Sequence, residues 1–66
     1  MTVMVKVRIN VPDDTEIHGI TGVCNDWSIV SGEVNFNDIP PNSFVEIQPN
    51  DGTDLFSIER KYLVKL

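Results

Sequence analysis

The chain has no alanine, a single cysteine (Cys24), no lysine or arginine from residue 9 to residue 59, and no long apolar run. Each scarcity excludes something. Alanine is the strongest helix former, so its absence argues against a helical bundle. One cysteine rules out an intrachain disulfide and a cysteine-based structural zinc site, and it suits a reducing compartment. No stretch approaches the roughly 20 apolar residues of a membrane-spanning helix. The start Met1-Thr2-Val3-Met4 has neither a basic n-region nor a long apolar h-region, so a cytoplasmic protein is expected. With 66 residues, of which 41% are apolar and 8% aromatic, residues 1–66 form one small domain with one core.

Charge narrows the partners. Ten carboxylates against five cations give a net charge of −5, and all ten carboxylates lie in the cation-free span. Nucleic-acid binders offer a basic stripe to phosphates. Here Lys6, Arg8, Arg60, Lys61 and Lys65 are the whole basic supply and sit near the two ends of the sequence. The acidic middle repels nucleic acid and acidic membranes and favours a partner protein with a basic surface.

What is present reads as strands. Val3, Val5, Val7, Ile9 and Val11 alternate with polar or flexible residues, the period of a half-buried strand, until Pro12-Asp13-Asp14-Thr15 ends it. Gly19-Ile20-Thr21-Gly22 leads into Val23-Cys24, and Asn25-Asp26 separates these from the apolar stretch 27–30. Residues 33–36 alternate again, and Pro40-Pro41 forces a rigid loop. Residues 43–48 form a further strand, Asp51-Gly52 marks a turn with positive φ, and 53–58 return from it. Glu59 to Tyr62 is too short for an independent helix and suits one 3₁₀ turn before a last strand over 63–66. The expected fold is all-β: five or six short antiparallel strands closed into a small barrel, with Val5, Val7, Ile9, Val23, Val45, Ile47, Ile58 and Leu63 inside.

This order of elements resembles an SH3-like small barrel. The supporting residues are the opening strand Val3 to Ile9, the long loop through Asp13-Asp14, and Gly19-Ile20-Thr21-Gly22-Val23. They continue with the hairpin Phe44-Val45-Glu46-Ile47 to Leu55-Phe56-Ser57-Ile58 and the ending Ile58 to Leu66, similar to the single turn and last strand of SH3 domains. Gly19 to Val23 is also similar to the glycine-bearing strand start of KOW-type barrels. The resemblance implies a fold more than a function. Peptide-binding SH3 domains carry an aromatic cluster and paired tryptophans, whereas this first strand is aliphatic, Trp27 stands alone, and Glu59 replaces a proline. Polyproline recognition is therefore not the expected activity.

Asp13, Asp14, Glu16 and His18 lie within six residues but lack the glycine-centred calcium loop and any zinc-ligand spacing, so no metal is expected. Pairing Cys24 with His18 as nucleophile and base fails electrostatically, because the neighbours are anionic and raise a thiol pKa. No phosphate loop, catalytic motif or cofactor signature occurs, and no enzyme is expected. Trp27 admits two readings: a core side chain, or an exposed anchor ringed by carboxylates. Phe36 and Phe44 pose the same choice. The expected function is a non-catalytic protein-interaction module, a small acidic subunit, adaptor or inhibitor of the sort phages and mobile elements encode. Its candidate contacts are Asp13, Asp14, Glu16, Asp26, Trp27, Phe36 and Asp38. Two alternatives stand beside it: a nucleic-acid mimic that blocks a basic protein, and a KOW-like nucleic-acid binder using Lys6, Arg8, Arg60 and Lys61. A monomer or homodimer is expected.

Overall fold

The computed structural model describes residues 2–66 and is all-β, with one five-stranded antiparallel sheet and little helix. The strands are β1 (Lys6–Ile9), β2 (Thr21–Cys24), β3 (Phe44–Pro49), β4 (Phe56–Glu59) and β5 (Leu63–Lys65), in the spatial order β4-β3-β2-β1-β5. β1 to β4 form a meander, and the 3₁₀ turn Arg60–Tyr62 carries the chain across to set β5 beside β1. Among the described residues no helix is long and apolar enough to cross a membrane.

Period-two patterning decides which face is inside. Val7 and Ile9 of β1, Val45 and Ile47 of β3, and Leu63 of β5 are buried, while Lys6 and Arg8 point outward. Their registers agree: Ile9 stands opposite Leu63, and Ile47 opposite both Cys24 and Phe56. Cys24, Ile29 and Phe36 complete the buried cluster with Val5, and Phe56 and Ile58 of β4 pack against it. Val23 and Ile58, expected inside, are half-buried instead. Val23 is set outward by parity, opposite Lys6, and Ile58 lies on an edge strand.

Three segments depart from the expectation because polar groups outside the ladder capture their backbone. The first ladder is shorter than Val3 to Val11: the Val3 N–H donates to the Val30 carbonyl, and the Val11 N–H to His18 Nδ1 at 3.1 Å. The stretch 27–30 is one helical turn, α1 (Trp27–Val30), because the Asp26 carboxylate accepts from the Ser28 N–H and hydroxyl at 3.1 and 2.8 Å. Residues 33–36 do not form a strand: Asn35 Oδ1 accepts from the Asn37 N–H at 3.2 Å and starts a 3₁₀ turn over Phe36–Asp38. The turn before β4 follows the expectation, with Gly52 at φ +82° and Asp51 accepting from the Thr53 N–H and hydroxyl. Those two donors hold the Asp51 carboxyl below the usual carboxylate range.

Gly22 is required by close approach rather than by φ. A Cβ there would stand 2.5 Å from the Gln48 carbonyl oxygen and 2.9 Å from Ile47 Cγ2. Gly22→Ala must force β2 and β3 apart, and the expected loss is about 1–3 kcal/mol, the usual cost of overpacking. Urea denaturation of the variant checks this, and an unchanged midpoint would contradict the β2–β3 spacing.

Candidate interaction surface

The connection from β2 to β3 gathers most of what could recognise a partner. Asp26 is spent as the cap of α1, which fixes the direction in which the chain leaves β2 and sets Trp27 on the first turn. Trp27 is 68% exposed, so of its two readings the structure gives the solvent-facing one. Glu33 and Asp38 are exposed in the same connection, and Phe44, at its far end, is 65% exposed. The connection supplies aromatic area and carboxylates and no cation, although Arg60 reaches it at the Ile39 carbonyl and Lys65 at the cleft beside Val34.

Phe36 requires a correction. Expected at the partner surface, it is buried with only 4% exposure, because the Asn35-capped turn rotates its ring into the core beside Ile29. Its edge is visible only as part of a cleft of about 200 Å³ lined by Val3, Val5, Ile29, Val34, Phe36 and Lys65. That volume is below the roughly 300–1,000 Å³ of typical small-molecule sites and suits one inserted side chain. Val3 also lines a second depression with Met4, Val23, Cys24 and Val30.

The other predicted contacts lie elsewhere. Asp13, Asp14 and Glu16 are exposed in the β1–β2 loop, which enters β2 at the end opposite to that from which Asp26, Trp27 and Asp38 leave. The loop is compact: the Asp14 carbonyl accepts from the Ile17 and His18 N–H groups, and Asp14 Oδ1 accepts from the Glu16 N–H at 3.2 Å. The predicted carboxylates therefore form two groups separated by the length of β2.

Other groupings considered from the sequence are also apart. Among the described residues no three His, Cys, Asp or Glu side chains are placed to hold a metal ion. His18 is held at Val11 before β2 begins, whereas Cys24 is buried at its far end. Burial, and secondarily the Asp26 charge, push the Cys24 thiol up to about 11, which keeps it protonated and unreactive at neutral pH. The terminal strands do pair, yet their cations do not pool. Arg60 Nε donates to the Ile39 carbonyl at 3.0 Å, and Lys61 stands 3.5 Å from Glu59, leaving Lys6 and Arg8 on the outward side of β1.

Neither family models, curated proteins nor solved structures give a match to this chain.

Proposed function

We propose that this chain is a non-catalytic interaction module, an SH3-like barrel whose acidic β2–β3 connection docks on a basic surface of another protein. The role is that of a small subunit, adaptor or inhibitor, and a cytoplasmic setting suits its lone reduced cysteine. Exposed Trp27 carries the proposal. A tryptophan fixed on a capped turn offers a large apolar area at little ordering cost, and such aromatic anchors dominate interface energies. Asp26, Glu33 and Asp38 of the same connection set the sign of the partner. Barrel closure is supported by β4 and β5: they stand at opposite ends of the strand order, yet Phe56, Ile58 and Leu63 pack on one core.

Catalysis finds no support in a protonated, buried Cys24 set apart from His18. Nucleic-acid mimicry is disfavoured by the division of the carboxylates between two ends of β2, and direct nucleic-acid binding by the dispersal of the cations.

The test is association kinetics with the protein retained by immobilised wild-type chain, measured over a salt series. Neutralising Glu33 and Asp38 (E33Q/D38N), or Asp13, Asp14 and Glu16 (D13N/D14N/E16Q), should slow association and flatten its salt dependence while leaving the fold intact. The pair in the same connection as Trp27 should have the larger effect. Unchanged association in both variants, with a salt-independent wild type, would sink the proposal, and tight binding to plain duplex DNA would transfer function to Lys6 and Arg8.

A further inference from the structure

Strand order turns the charge segregation of the sequence into geometry. All five cations lie outside residues 9–59 and all ten carboxylates inside that span. Because β5 pairs with β1, Lys6 and Arg8 share an outward face with Val64, opposite Arg8, and with Leu66, whose N–H donates to the Lys6 carbonyl. Their β2 neighbours across the ladder are Val23 and Thr21, so no carboxylate stands opposite either cation. Val64 and Leu66 are 39% and 61% exposed. Two strands beyond β1, the outward positions of β3 are Phe44, Glu46 and Gln48, with Glu59 of β4 opposite Phe44. One region of the sheet's outer surface is thus cationic with aliphatic neighbours. The other sets Glu46 and Glu59 beside an exposed aromatic ring, with Lys61 3.5 Å from Glu59 and Asn25 Nδ2 donating to Glu46 at 2.9 Å, and so keeps an acidic excess.

We propose that these two regions are complementary halves of a self-association contact. The β1–β5 face of one copy docks on the β3–β4 face of a second copy. Lys6 and Arg8 meet Glu46 and Glu59, while Val64 and Leu66 cover Phe44. A second copy suits the cationic face better than a nucleic acid does. A second copy carries the same −5, so net charge does not separate the two; what does is that exposed Val64 and Leu66 gain cover from Phe44, which a phosphate backbone does not offer. At physiological ionic strength the Debye length of about 8 Å screens the net repulsion, while ion pairs in contact persist. The two patches lie on the outer face of one sheet, so a two-fold axis between them lets each copy present both halves at once and closes a dimer. A single small core benefits from the extra apolar burial.

This contact does not rest on the binding of a different protein and is tested on the purified chain alone. Sedimentation velocity over a concentration series should show wild-type mass rising to that of a dimer. K6E/R8E and, separately, F44S/E46K should remain monomeric with an unchanged circular dichroism spectrum, since Lys6, Arg8 and Phe44 are exposed and half-buried Glu46 gives up only the bond from Asn25. The milder K6Q/R8Q gives the same readout should charge reversal disturb the β1 ladder. An equal mixture of K6E/R8E and F44S/E46K should form a one-to-one dimer, because each variant retains the face that the other lacks. A wild type that stays monomeric throughout the series overturns the proposal. So does association that survives both substitutions, or a mixture that forms no dimer while wild type associates.

Discussion

Ile47→Ala is expected to destabilise the chain by about 2–5 kcal/mol, the range for truncating a fully buried aliphatic side chain. Ile47 has no exposed surface and lies in the middle of the sheet, opposite Cys24 on β2 and Phe56 on β4. Its Cγ2 also occupies the space that the missing Cβ of Gly22 leaves free. Three strands close around the site, so they cannot collapse into the void without losing register. A domain of this length is stable by about 3–10 kcal/mol in total at 0.05–0.15 kcal/mol per residue. The substitution can therefore remove a large share of that stability. Leu55→Ala is the internal control: Leu55 is 45% exposed, and a surface truncation of this kind costs within about 0.5 kcal/mol. Urea midpoints of the two variants separate the cases. Equal midpoints would mean that the inward face of β3 has been assigned to the wrong side.

The inward face of β1, the Asp51-Gly52 turn and the 3₁₀ turn before β5 were legible in the sequence because each is decided locally. Alternating β-branched residues leave β1 only one way to bury Val7 and Ile9, and positive φ at Gly52 needs no distant partner. α1 and the turn at Phe36 were not legible by apolar period. Their backbone direction is set by Asp26 and Asn35, whose side chains capture N–H groups two residues ahead. Residues 33–36 alternate as a strand would, but the Asn35 bond to Asn37 outcompetes a ladder and sends Phe36 inward. The same Asx signals were present in the sequence and could have identified both turns. Nor could composition decide Trp27. Its exposure follows from which side of the capped turn faces the Ile29 and Phe36 core, a tertiary property. The division of the carboxylates likewise depends on which end of β2 each loop adjoins. Sequence proximity alone cannot express that.

Trp27→Ala is expected to weaken binding of the basic partner by at least about 2 kcal/mol, or roughly 30-fold or more in Kd. Nearly all of the change should appear as faster dissociation. The indole lies outside the core, so its removal leaves no cavity. The Asp26 cap that holds the turn uses Ser28, not Trp27. Stability should therefore remain within about 0.5 kcal/mol of wild type, as for other exposed substitutions. The carboxylates that steer encounter remain in place, so the association rate and its salt dependence should barely move. This pattern is the reverse of that expected for E33Q/D38N, and measuring both on one sensor surface divides anchoring from steering. Trp27→Phe should recover part of the residence time, because a smaller aromatic ring still fills part of the partner's pocket. A Trp27→Ala variant that dissociates at the wild-type rate, with the fold intact, would remove Trp27 from the interface and with it the observation on which the proposed function rests.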